Sequence, residues 1–324
     1  MDPMTTVVDL ATALASTRTG VVAVERTDLA FLELSGADVL RYLHSVSSQH
    51  TADRRPGDAT RALLLSPKGK IEFAFRMAVR EGAVLLDTEA EAAPALGERL
   101  ARFVFRYDVT VGSPRAGAVS LLGRGTEEAL AAAGLPAAPG GPDRATVAPG
   151  LVVHRTEVGV DLVGASTPDA LAALERAGVA RGPLDLWELE RVEHGLPRWG
   201  SELTDDVIAE EAGLLGSHVH LDKGCYPGQE TVARVHNLGQ VQRRLAGLRF
   251  DDAGAEPPPP RADVVTGDGR RAGQVRGAVR HPDLGTIALA YVRRVVAAGS
   301  RVRIGDLGAT VVELPFRTER RFAS

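Results

Sequence analysis

Asp222-Lys223-Gly224-Cys225-Tyr226-Pro227-Gly228-Gln229-Glu230 gathers, in nine residues, the only cysteine of the chain, one of its three lysines, two glycines and a proline. Glycine at 224 and 228 permits positive φ or a close backbone approach to a ligand. Glu230 leads into Thr231–Val235, a segment that reads as helical or extended. A lysine two residues from a cysteine can lower the thiol pKa and favour the thiolate, the form that attacks electrophiles or binds metal. A lone cysteine is equally often a small buried hydrophobe. Spacing alone leaves both readings open.

Working outward, 35 of the 38 basic residues are Arg, and Lys survives only at Lys68, Lys70 and Lys223. Lys is a compact charge whose pKa can fall, whereas Arg remains charged, so these positions are candidates for sites where Arg would not serve. One cysteine excludes an internal disulfide or a four-thiolate metal site within the chain. His218-Val219-His220 precedes Cys225 and His236 follows it, but no spacing fixes them as ligands, and no dedicated metal site is expected. The chain is 324 residues long, 44% hydrophobic and 25% charged, which suits two or three globular units. From Thr231 onward sixteen Arg face nine Asp and Glu, a basic third that reads as a solvated surface or as a face for an anionic ligand. The apolar runs Ala62–Leu65 and Ala83–Leu86 are strand-sized, and no membrane partner is expected. The N-terminus shows no basic region followed by an apolar block, so a cytoplasmic location is expected.

The elements follow from periodicity and caps. Ser35 caps a helix to about Ser48, with Val39, Leu40 and Leu43 on one face. Strands are expected at Arg61–Leu65, Ile71–Val79 and Ala83–Asp87, then a helix capped by Thr88 and reaching Phe103. A second unit repeats the grammar: strands at Ala118–Leu122, Val147–Arg155 and Gly159–Val163, a helix from Thr167, and another from Pro183 to His194. After Gln240 only short strands between Gly, Pro and Asp remain, which means a small β-barrel or sandwich. No P-loop or G-x-S-x-G turn is present. The basic strands lack interleaved aromatics, so nucleic acid is not an expected partner.

Lys223-Gly224-Cys225-Tyr226-Pro227-Gly228-Gln229-Glu230 matches K-G-C-Y-x-G-Q-E, and on that signature the chain resembles the YgfZ family, relatives of the glycine-cleavage T-protein. Ser35-Gly36-Ala37-Asp38, Pro56-Gly57, Lys68-Gly69-Lys70, Arg191-Val192-Glu193-His194-Gly195 and Leu314-Pro315-Phe316 resemble the family's other landmarks, in order. The resemblance implies an α+β, T-protein-like folate-binding fold with a C-terminal antiparallel β-barrel. Residues 1–112 would form an N-terminal folate-binding subdomain, 113–240 a second α+β subdomain carrying the Cys225 loop, and 241–324 the barrel.

It further implies tetrahydrofolate as cofactor, with Glu193 hydrogen-bonding the pterin, since a carboxylate suits two parallel bonds to an amidine-like edge. Lys70, Tyr226, Gly228, Gln229 and Glu230 are the further expected folate contacts, and Cys225 with Lys223 the reactive pair. The implied role is an accessory factor for assembly or repair of iron–sulfur enzymes, with folate and iron–sulfur client or assembly proteins as partners. A folate-dependent aminomethyltransferase-like activity and a non-catalytic adaptor stabilised by folate are the alternatives. One departure weighs against the transferase. The T-protein's paired aspartates fall here at Glu72 and Phe73, which strand alternation points to opposite faces.

Overall fold

The computed structural model describes residues 7–239 and 241–317, so Gln240, where the strand-only region was expected to begin, lies outside the described residues. Two six-stranded sheets and a barrel account for most of it. The first sheet runs Ala59–Leu65, Ile71–Arg80, Ala83–Glu89, Leu29–Ser35, Thr110–Val111, with Arg115–Ala116 also pairing onto Leu29–Ser35. The second runs Ala180–Gly182, Val21–Glu25, Ala118–Gly123, Gly159–Val163, Leu151–Thr156, Ala145–Ala148. Only the Val21–Glu25 and Ala180–Gly182 pair is parallel in it.

Alternation along the strands sorts the side chains into layers. Phe75, Met77 and Val79 pack with Leu32 and Leu34 under helices Val39–Val46 and Ala93–Ala101. The opposite face gives Phe31, Ala78 and Leu85 to a cluster with Ala118, Val152 and Val163 of the second sheet, so the sheets meet face to face. Leu121, Val153, Val160 and Leu162 turn outward under helices Thr126–Ala132 and Thr167–Arg176. Helices Leu10–Thr19 and Leu184–Glu193 close one end through Leu14, Leu186 and Leu189 against Val22, Val24 and Leu122.

The C-terminal strands Arg243–Phe250, Asp263–Thr266, Arg271–His281, Gly285–Arg293, Arg301–Ile304 and Leu307–Val312 form a closed, wholly antiparallel barrel. Closure leaves no sheet edge unpaired. Among the described residues no helix is long and apolar enough to cross a membrane.

Local expectations shift at three caps. Ser35 ends a strand, and the following helix starts at Val39 with Asp38 before it. Thr88 stays in its strand and donates its hydroxyl to Ala74 O. Pairing with Leu29–Ser35 carries that strand to Glu89, so the next helix waits until Ala93. Thr167 is the first helical residue, one past the cap position. Helix Leu10–Thr19 and strand Val21–Glu25 were not expected, because alanine-rich and all-valine stretches carry little periodic contrast.

Where the apolar contact between the sheets ends, charge takes over. Arg76 of the first sheet donates to Asp87 of the adjacent strand at 3.1 and 2.9 Å and to Asp161 of the second sheet at 3.0 Å. Both carboxylates are nearly inaccessible. Ser120 donates to Asp161 at 2.6 Å, and Arg26 to Ser120. Burial pushes the Asp87 pKa up, partly offset by Arg76. Removing one partner of such a set strands buried charge. Arg76→Met should therefore lower the unfolding free energy by about 3–5 kcal/mol in urea melts; a loss below about 1 kcal/mol would show that the sheets are joined by other means.

Candidate functional site

Beside that ion cluster lies a cavity of about 330 Å³, within the range that ligand pockets occupy. Its walls come from both sheets, from helix Leu184–Glu193 and from the segment that follows it. The first sheet supplies Arg61, Ala74, Arg76, Asp87 and Glu89; the second supplies Glu157 and Asp161; the helix supplies Trp187 and Arg191. Arg198, Trp199 and His218 complete it. Aromatics make up 4% of the chain and it has two tryptophans, Trp187 and Trp199. Both line this cavity. Trp187 carries the Arg26 guanidinium 3.4 Å above its ring centroid. Trp199 stacks parallel to Phe73 at 6.1 Å and donates from Nε1 to Glu72 O. Burial pushes the His218 pKa down to about 3, so its imidazole is neutral at pH 7.

The charged groups on the wall are mostly spoken for. Arg76 holds Asp87 and Asp161, Arg61 pairs with Glu157, and Arg191 pairs with Glu188 and Glu202. Glu89 differs. Its Oε1 accepts from Trp199 N at 3.2 Å, and Arg198 and Arg26 act on it through their charge without a described ion pair. Burial pushes its pKa up.

The Arg191-to-Gly195 motif divides between two faces of one helix end. Residues two apart on a helix project about 200° apart. Arg191 faces the cavity, whereas Glu193 faces the barrel. His281 Nδ1 accepts from the N–H groups of Asp283 and Leu284, so its proton sits on Nε2 and is donated to Glu193 at 2.8 Å. Arg317 adds a contact at 3.3 Å. Gly195 has φ +70°, and a Cβ there would sit 2.8 Å from Leu314 Cβ, which explains the glycine.

The loop of Cys225 sits elsewhere, against the first sheet's Ser66–Lys70 turn. Gly228 has φ +82°, and a Cβ there would fall 2.6 Å from Ser66 O. Thr231 closes over Gly69. The two glycine-bearing motifs thus meet in space. Lys223 is 5% exposed, and its ammonium donates to His44 O and to Ser47 O at the end of helix Val39–Val46. It lies 4.7 Å over the Tyr226 ring, and burial pushes its pKa down to about 8. Cys225 is free and exposed. Tyr226 is buried with Leu63, Leu65 and Ile71. Gln229 donates to Lys223 O, and Lys70 Nζ to Asp206 O. Glu230 is exposed.

None of Glu193, Lys70, Tyr226, Gly228, Gln229 and Glu230 lines the cavity, nor do Cys225 and Lys223. Arg191 and the run Gly195–Trp199 that follows its motif do line it, but most of the wall is scattered along the chain, and the sequence signal that could have found the site was the scarcity of tryptophan. His44, His50 and His220 pack ring to ring at 4.7 and 5.3 Å beside Gly224, while His218 faces the cavity. Among the described residues no three His, Cys, Asp or Glu are arranged to hold a metal ion. Phe73 packs under the helices of the first sheet, Glu72 is held by Arg99 at 3.1 Å, and Ala74 is the side chain that reaches the wall.

Residues 243–317 match the glycine cleavage T-protein C-terminal barrel domain. The fold is that of the T-protein: the crystal structure of aminomethyltransferase T from Bartonella henselae superposes with a TM-score of 0.85 at 20% identity, over 97% of this chain and 91% of that one. An aminomethyltransferase of Moorella thermoacetica is 38% identical over 45% of this chain and 40% of its own length. The tRNA-modifying protein YgfZ of Aliivibrio fischeri is 29% identical over 40% of this chain and 42% of its own. The mitochondrial iron–sulfur cluster assembly factor IBA57 of Homo sapiens is 35% identical over 28% of this chain and 27% of its own. Each of these three alignments spans less than half of the relative's length.

The Lys223 geometry makes a stability prediction. Lys223→Met leaves the carbonyls of His44 and Ser47 without their donor and should cost about 1–3 kcal/mol. Cys225→Ala, at an exposed position, should stay within about 0.5 kcal/mol. Paired urea melts check both, and a neutral Lys223→Met would remove the capping role.

Proposed function

We propose that this chain, a YgfZ-like relative of the glycine-cleavage T-protein family, binds tetrahydrofolate in the cavity between its two sheets and serves the assembly or repair of iron–sulfur proteins. The observation that carries the folate reading is the composition of the cavity wall. A chain poor in aromatics places both of its tryptophans there, with a carboxylate and an arginine beside them. A flat heterocycle with hydrogen-bonding edges suits such a wall: rings stack on its faces while charged groups read its rim. About 330 Å³ accommodates a pterin with part of its side chain.

The iron–sulfur reading draws on the relatives' names and on Cys225. The thiol is exposed, on a loop pinned by Gly228 and by the Lys223 ammonium. One thiolate supplies a single ligand of the several a cluster takes, so a partner protein or a client enzyme completes the set. Clients that modify tRNA would reconcile the names of the two kinds of relative. The aminomethyltransferase reading is the weaker one. Neither Glu72 nor Phe73, where the T-protein's paired aspartates were expected, lines the cavity, and Glu72 is engaged by Arg99.

Saturating tetrahydrofolate should raise the melting temperature, since a ligand of the native state at 100 times its Kd stabilises by about 2.7 kcal/mol. No shift contradicts the folate reading. Cys225→Ala should keep the full shift and lose the ability to restore iron–sulfur enzyme activity in cells lacking the protein. Full restoration by that variant would favour the adaptor role instead.

A further inference from the structure

Glu193, the carboxylate expected to read the pterin, is committed to His281 and Arg317 on the barrel side of its helix. A pterin in the cavity would have to find its acid elsewhere. Three of the four acids on the wall are engaged by arginine: Asp87 and Asp161 by Arg76, Glu157 by Arg61. Glu89 remains.

Glu89 closes the strand Ala83–Glu89 at the point where it pairs with Leu29. Its Oε1 accepts one hydrogen bond, from Trp199 N at 3.2 Å. Its Oε2 lies 3.3 Å from the Thr88 hydroxyl, but that hydroxyl has a single proton and stands 2.8 Å from Ala74 O, which takes it. An ionised carboxylate accepts about four hydrogen bonds, so most of Glu89's capacity is unused in a partly desolvated wall. Leaving such a group unsatisfied is costly, and an unfilled acceptor at a cavity wall points to a ligand donor.

A cation stands next to it. Arg198 also lines the cavity and precedes the very residue whose N–H binds Glu89. Its guanidinium lies 3.7 Å from Glu188 and its charge favours the ionised form of Glu89. The wall therefore offers vacant acceptors on Glu89. The rim of a 2-amino-4-oxopteridine is complementary: the 2-amino group and N3–H are two donors pointing the same way.

We propose that Glu89 receives the 2-amino and N3–H groups of the pterin, so that this residue sets specificity at the site in place of Glu193. The proposal rests on the folate reading given above and deepens it. Trp187 and Trp199 flank the ring, and Glu193 serves the joint between helix and barrel.

Calorimetric titration of the full chain with 5-formyltetrahydrofolate separates the two claims. If the unmodified protein shows no binding, the folate reading fails and this assignment with it. If it binds, Glu89→Gln should weaken affinity at least tenfold and Glu193→Gln less than threefold. Equal affinity in Glu89→Gln, or a larger loss in Glu193→Gln, overturns the assignment while leaving the folate reading intact. A 2-desamino analogue guards against misfolding of the variant. The unmodified protein should bind it at least tenfold more weakly than the parent compound, and equal binding of the two also overturns the assignment.

Discussion

The Arg76 guanidinium, shared between Asp87 on its own sheet and Asp161 on the other, is the joint on which the rest of the structure depends. A planar fork with five donors holds Asp87 through two nitrogens and Asp161 through the third, a pairing whose bidentate half a lysine ammonium cannot match. Burial pushes the Asp87 carboxyl up and the Arg76 charge pulls it back, so the two depend on each other. The apolar contact of Phe31, Ala78 and Leu85 with Ala118, Val152 and Val163 brings the sheets together on one side of this joint. On the other side Arg76, Asp87 and Asp161 form part of the wall of the cavity, which both sheets line.

Helix Leu184–Glu193 then serves two surfaces with one short motif. Arg191 turns toward the cavity, braced by Glu188 and Glu202, while Glu193 turns toward His281 of the barrel. Phe316 N adds a backbone bond to Glu193 O, and Val192 packs on Ile287 and Leu289. The barrel thus fixes the helix end that forms part of the cavity wall. A loosened barrel contact would be felt at Trp187 and Arg191, one turn apart on the same helix face.

How far the sequence reveals this differs between fold and site. The barrel is legible because its strands are short, alternate, and are cut by Gly, Pro and Asp. The helix from Leu184 is legible because Pro183 and Gly195 bracket it. Thr88 misleads, since a residue suited to cap a helix is held in a strand by a partner distant in sequence. The loop around Cys225 announces itself by composition, and its glycines are explained by contact with Ser66 and Thr231. What its composition hides is that the Lys223 ammonium turns inward to cap a helix. The cavity is the least legible part. Arg26, Asp87 with Glu89, Glu157, Trp187 and Arg198 come from five separate stretches, and only the folded sheets bring them together. Glu193, singled out by its motif, lies two residues from a cavity residue and faces the other way.

Incorporating 5-fluorotryptophan gives two ¹⁹F resonances, one for Trp187 and one for Trp199, and both side chains stand on the wall assigned to folate. Titration with tetrahydrofolate should move both resonances along a single saturating curve. Saturable binding with both resonances unmoved would place the ligand elsewhere and contradict the account.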